Sequence, residues 1–181
     1  MQWPGSQRHV QQLVDAHYDS LFRYAYRLSG CAADAEDLAQ EAFCKAQMQL
    51  HQLREPSRAK AWLFSILRNA YLHRVRSDQA HKQVPLDAVG DLAGPPPDPP
   101  PEVEPAELQR ALNELPEAFR TPVILFYFED FSYRDIAEQM DLPIGTVMSR
   151  LARAKAHLRH RLAPDAKVAA NGGGRESADG L

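Results

Sequence analysis

Between residues 143 and 162 the chain reads PIGTVMSRLARAKAHLRHRL, with Arg150, Arg153, Lys155, Arg159 and Arg161 and no acidic residue. A run of this kind projects a positive field suited to phosphate. Wound as an α-helix, it puts Val147, Leu151, Ala154 and Leu158 on one apolar stripe. Thr146, Ser149, Arg150, Arg153, His157 and His160 fall on another. The chemistry on offer is recognition rather than bond-making. Arginine forks onto a guanine edge, and Ser or Thr reaches a base or a phosphate. Thr146, Ser149, Arg150 and Arg153 are the expected readers, with Lys155 adding to the field.

A second basic set spans residues 58–78: Arg58, Lys60, Arg68, Asn69, His73, Arg74 and Arg76 are interleaved with Trp62, Phe64 and Tyr71, and Asp78 is the sole acid. Aromatic faces accept unstacked bases while arginine neutralises phosphate, so this stretch suits melted nucleic acid. Trp62 reads equally as a core residue. A third set, Asp34, Glu36, Asp37, Gln40 and Glu41, lies on one helical face. It either opposes the helix dipole or docks a basic or polar partner surface. Bond-making chemistry has no counterpart to these sets: the chain shows no paired nucleophile and base, no metal-ligand spacing and no glycine-rich phosphate loop after a strand. Cys31 and Cys44 lack CxxC spacing and read as thiols in a reducing compartment. No catalytic residue, metal or cofactor is expected.

The elements that position these sets are helical throughout. Val10, Leu13, Val14, Tyr18, Leu21, Phe22, Ala25 and Leu28 recur at helical spacing over residues 8–28, and Gly30 ends that helix. A second helix is expected over 33–50, burying Leu38, Ala42, Phe43 and Ala46. A third is expected over 58–78, burying Trp62, Leu63, Ile66, Ala70 and Val75. Residues 83–105 differ in kind, with eight prolines, several acids and no basic residue. They read as an extended linker. Two helices follow over 106–115 and 116–128, with Leu108, Leu112, Leu115, Phe119, Val123, Leu125 and Phe126 as their core. Then SYRDIAEQM (132–140) forms a short helix with Ser132 as N-cap and Asp135 in the capping-box position. The connection through Pro143 and Gly145 is short, and Pro143 suits the first turn of the basic helix. Such a pair is a helix-turn-helix, whose second helix enters the major groove.

The fold class is therefore all-α: two small helical domains (8–82 and 106–162), a Pro-rich acidic linker (83–105) and an Ala/Gly-rich tail (163–181) expected to be disordered. The net charge of −3 over 181 residues conceals opposed acidic and basic blocks, which points to more than one partner surface. No stretch resembles a signal peptide or a membrane span.

Three motifs, DAEDLAQEAF (34–43), AWLFSILRNAYLHRVR (61–76) and the stretch from LPEAFRTPVILFYFEDF through the basic helix (115–162), resemble in order and separation the sigma factors of the extracytoplasmic-function group, in the sigma-70 family. The resemblance implies a sigma2-like three-helix domain and a sigma4-like helix-turn-helix domain. It assigns Asp37, Gln40 and Glu41 to docking on core RNA polymerase. It assigns Arg58, Lys60, Trp62, Arg68, Asn69, Arg74 and Arg76 to the single-stranded −10 element, with the 51–60 loop helping to hold a flipped base. Thr146, Ser149, Arg150, Arg153 and Lys155 fall to the −35 duplex. Met148 stands where many relatives carry Lys. The linker would lie in the RNA exit channel. A bacterial, cytoplasmic protein without enzymatic activity is implied, nucleoid-associated when in holoenzyme, with an anti-sigma factor as a further partner. Two other readings are an autonomous helix-turn-helix regulator and a sigma mimic that titrates an anti-sigma factor. The first leaves the acidic and basic faces of the first domain unused, and the second has no need of the DNA-reading arginines.

Overall fold

The computed structural model describes residues 6–78 and 103–163. The residues expected to form most of the linker and the tail lie outside these. Among the described residues, seven α-helices follow one another and no strand occurs. The helices are α1 (Ser6–Ser29), α2 (Ala32–Gln49), α3 (Ala59–Asp78), α4 (Pro105–Glu114), α5 (Glu117–Tyr127), α6 (Tyr133–Met140) and α7 (Ile144–Leu162). Two short 3-10 turns, Leu50–Gln52 and Pro56–Arg58, join α2 to α3.

In the first half, α2 and α3 pack on α1 through Leu21, Ala25 and Leu28, Leu38, Ala42, Phe43 and Ala46, and Leu63, Ile66, Leu67 and Ala70, all buried. Gly30 ends α1 as expected, at φ +75°, where an L side chain would be strained. Tyr18, one of the residues that recur at helical spacing, is 38% exposed. Tyr24 is fully buried, its ring 4.7 Å from that of Phe64. Trp62 and Val75 are only half-buried, packed at the core's edge.

In the second half, the apolar stripe of α7 (Val147, Leu151, Ala154) is buried on α5, with α4 and α6 also packed against that helix. Pro105, expected to close the linker, is the first residue of α4. Proline is well suited there, because its missing N–H would have had no partner in a first turn. Pro122 lies inside α5, where its ring leaves the carbonyl of Ala118 without the usual N–H. Ser132 and Asp135 form the expected capping box on α6: the Asp135 amide donates to Ser132 Oγ at 3.2 Å, and the Ser132 amide to Asp135 Oδ2 at 3.1 Å. Asp141 then turns the chain in the left-handed region (φ 53°) and Pro143 caps α7.

The two halves do not stand apart. Their buried side chains join in one cluster, with α4 and α5 against α1, and α6 against α3. The Phe64 and Phe131 rings meet across the seam at 5.3 Å, and the Arg27 guanidinium lies 3.8 Å above the Phe128 ring. Gly30 approaches Asn113 so closely that a Cβ there would sit 2.6 Å from its amide nitrogen. Beside it, Gln109 donates to the Arg27 carbonyl at 3.1 Å.

Candidate nucleic-acid and polymerase interfaces

The buried stripe on α7 turns the rest of that helix outward. Ser149, Arg153 and Lys155 are exposed, whereas Thr146 and Arg150 are half-buried. Ser149 Oγ donates to the Thr146 carbonyl at 3.0 Å, so its hydroxyl is held over the start of the helix. Arg150 has a second attachment that its spacing did not reveal. Its Nη1 lies 3.4 Å from the Ala118 carbonyl, the one that Pro122 leaves without an amide. The guanidinium is thereby tethered at the edge of the reading face, with its remaining N–H groups still to be used. Further along, the expectation of an unopposed basic face needs correction. Glu114 of α4 receives Arg161 Nε at 2.8 Å, and His157 Nε2 lies 4.0 Å from the same carboxylate. Arg161 at the end of α7 is therefore paired, while Arg153, Lys155 and Arg159 stay exposed along the helix.

On α3 and the Pro56–Arg58 turn before it, the seven expected DNA contacts separate into distinct groups. Asn69 and Arg76 are exposed. Arg74 turns toward α2, where its Nη2 lies 2.9 Å from Glu41. Arg58, Lys60 and Arg68 point to the second half of the molecule. Arg58 pairs with Glu138; Lys60 donates to the Glu129 carbonyl at 2.7 Å with the Glu129 carboxylate at 3.6 Å; Arg68 meets Glu117 at 3.2 Å. Burial raises the Glu129 carboxyl above its ordinary value, and Lys60, Arg23 and Arg27 partly offset that rise. Trp62 lines a cleft of about 380 Å³ with Gln52, Arg54, Ser65 and, from α6, Glu138 and Gln139. The family resemblance pointed to the 51–60 loop but not to Gln52, Arg54 or Ser65 individually.

Asp37 and Gln40 are exposed on α2. Glu41 is half-buried between Lys45 (2.7 Å) and Arg74; the Lys45 hydrogen bond, and then Arg74, hold its carboxyl below the ordinary value. Asp37 and Gln40 therefore present the free part of this surface, while Glu41 orients α3. Cys31 and Cys44 are free thiols. Among the described residues, no three His, Cys, Asp or Glu side chains gather to hold a metal ion, and no helix is long and apolar enough to cross a membrane.

A basic, aromatic-bearing helix in one half and a helix-turn-helix with its second helix turned outward in the other define a two-domain DNA-binding protein of all-helical class. The comparisons with known proteins agree with that class and narrow it. Sigma-70 region 2 matches residues 13–81, and Sigma-70, region 4 matches residues 106–158. The chain is 35% identical over 159 residues to the ECF RNA polymerase sigma factor SigM of Mycobacterium tuberculosis, covering 87% of this chain and 79% of that one. It is 37% identical over 158 residues to SigE of Mycolicibacterium smegmatis, covering 84% of this chain but only 61% of SigE. Among solved structures it is similar to the sigma factor RpoE of Bartonella quintana in complex with the anti-sigma factor NepR, at 31% identity and a TM-score of 0.69, covering 86% of this chain and 97% of that one. CnrH, in complex with the cytosolic domain of CnrY, shares the fold at 23% identity and a TM-score of 0.61, covering 91% of this chain and 90% of that one. The chain belongs to the sigma-70 family, among the extracytoplasmic-function RNA polymerase sigma factors.

Proposed function

We propose that this sigma factor selects promoters through two separate DNA contacts, joined by docking on core RNA polymerase. The observation that carries the reading is the division of α7 into a buried apolar stripe and an outward face bearing Ser149 and Arg153. That division supports insertion of the start of α7 into the major groove of the −35 element, with Thr146, Ser149, Arg150 and Arg153 at base edges and phosphates and Lys155 on phosphate. The exposed Asp37 and Gln40, with Glu41, form the docking surface for core polymerase.

Helix α3 takes the −10 element. Arg58, Lys60, Arg68, Asn69, Arg74 and Arg76 follow the backbone of the melted strand, and Trp62 with Arg54 and Ser65 receives a single extruded base in the 380 Å³ cleft. No bond-making chemistry is assigned to the chain; the polymerase supplies it. The factor acts in the cytoplasm, and the likeness to RpoE held by NepR supports an anti-sigma factor as its inhibitor.

Transcription in vitro tests the reading. Purified protein and core polymerase are supplied with fragmented genomic DNA and the transcript starts are mapped. Starts that share two spaced upstream motifs are expected. No new starts from folded protein would refute it, and binding to core polymerase would then separate a sigma mimic from an autonomous regulator.

A further inference from the structure

Helix α7 carries an apolar pair that its packing does not use. Val147, Leu151 and Ala154 take the core side of the helix, whereas Ile144 and Met148, one turn apart, are 45% and 51% exposed. The fold itself needs only the buried stripe, and apolar surface left in water forgoes the gain of burial. A lone exposed apolar side chain means little. Two on successive turns, at the start of the helix that we assign to the major groove, lie where a recognition helix meets base edges.

The surroundings say what would cover them. No acidic residue occurs between residues 143 and 162, and Lys155 and Arg159, which share the side of Ile144 and Met148 at helical spacing, are exposed. A protein knob seated on this flank would have to accept those cations. Duplex DNA offers them phosphates, and in the major groove it offers one apolar group, the C5-methyl of thymine. Gly145, Ser149 and Ala152 are exposed between this flank and that of Thr146, Arg150 and Arg153, and the space around Gly145 is open where a Cβ would stand. Small residues there keep the centre of the face low, so the backbone can approach the groove and both flanks reach base edges. Hydrogen-bonding groups thus stand on one side of the reading face and apolar groups on the other.

We propose that Met148, with Ile144 beside it, reads thymine in the −35 element through its C5-methyl group. This rests on the assignment of α7 to the −35 duplex, and it adds a base preference that the arginines do not supply. Methionine suits the task, because its unbranched, polarizable chain adapts to the position of the methyl. Ile144 stands in the first turn after Pro143, which fixes where the helix begins. Cytosine in place of thymine would turn an amino donor toward side chains that cannot accept from it, and a donor buried without a partner is disfavoured.

The test uses holoenzyme, core polymerase with the full chain, and a labelled duplex promoter fragment taken from the mapped transcript starts. Each thymine of the −35 motif, on either strand, is replaced in turn by deoxyuridine, which removes the methyl and keeps the pairing. At the position facing Met148 the replacement should weaken binding about fourfold, the effect of one buried methyl group. Met148→Ala should weaken binding to the natural duplex to a similar extent and no longer respond to deoxyuridine there, while Met148→Leu keeps the response. Met148→Lys should bind through phosphate and lose the response. Undiminished binding with deoxyuridine at every position, while Arg153→Ala still weakens it, would overturn thymine reading and leave α7 on the −35 element. A −35 motif without an A·T pair would overturn it as well. So would a response to deoxyuridine that survives both Met148→Ala and Ile144→Ala, since another group would then read the methyl. If Arg153→Ala, Met148→Ala and deoxyuridine were all without effect, the assignment of α7 would fall and the proposal with it.

Discussion

The Arg68 guanidinium lies 3.2 Å from the carboxylate of Glu117, forty-nine residues further along the chain, and Thr121 Oγ1 donates to the same Glu117 oxygen at 2.9 Å. Glu117 sits in the first turn of α5, where the helix dipole also favours a negative charge. One carboxylate therefore orders the start of a helix and joins the two halves. Both partners are mostly buried, at 13% and 20% side-chain exposure.

Arg68→Met should accordingly reduce stability as well as DNA binding. Glu117 would keep Thr121 and lose its charged donor, at a cost of about 1–2 kcal/mol. Urea denaturation followed by circular dichroism measures this. An unchanged midpoint would mean that the pair is screened by solvent and contributes nothing.

Glu129 makes stability depend on pH in a defined direction. Its folded-state carboxyl is raised above the ordinary value of 4.5, chiefly by burial. A raised carboxyl contributes stability that is fully present below the unfolded value and is lost as pH rises through the folded value. The difference in stability between the native chain and Glu129→Gln should therefore shift in favour of the native chain as pH falls from neutrality toward 4.5. The comparison with the variant is required because Glu41, whose carboxyl is lowered, works in the opposite direction. A difference that is flat across this window, or that grows with pH, would contradict the burial of Glu129.

Ser132→Ala should destabilise the second half by about 1 kcal/mol, since it removes the side-chain acceptor for the Asp135 amide at the start of α6. The orientation of α7 depends on α6, so affinity for −35 duplex should fall too. Thermal melting and duplex anisotropy give the two readouts, and loss of affinity with unchanged stability would place Ser132 on the DNA instead.

Arg153→Ala and Arg150→Ala should both weaken −35 binding, by about 1–3 kcal/mol for each bidentate hydrogen-bonded pair with a base that is removed. Arg150 also reaches the Ala118 carbonyl left open by Pro122, so its replacement should lower the denaturation midpoint as well. A midpoint equal to that of the native chain would show that the 3.4 Å hydrogen bond does not contribute.

Much of this architecture was legible because the features were local. Period and punctuation located the helices to within a few residues. The capping box at Ser132 and Asp135, the proline before α7 and the buried stripe of Val147, Leu151 and Ala154 are short-range patterns that one helix can specify. Tyr18 and Tyr24 show where such patterns stop. Both fit the helical spacing of α1, but only Tyr24 meets a partner ring from α3, and no local signal marks Phe64 as that partner. The seam was not legible for the same reason. Glu117 resembles an ordinary first-turn acid, Glu129 a turn residue in an aromatic run and Glu138 a surface acid. Only tertiary packing sets them on Arg68, Lys60 and Arg58. Glu114 gives no local sign of restraining the basic face, because it meets Arg161 from forty-seven residues away.

Recognition by two domains held on one polymerase requires the two DNA motifs to keep a fixed separation and rotational phase. The most direct measurement is transcription in vitro by core polymerase and this chain, on a mapped promoter whose spacer is lengthened by about 5 base pairs, half a helical turn. The account predicts that initiation is nearly abolished with both motifs intact, while binding of the isolated −35 duplex is unchanged. Initiation at an undiminished level from the lengthened spacer would contradict recognition through both halves at once.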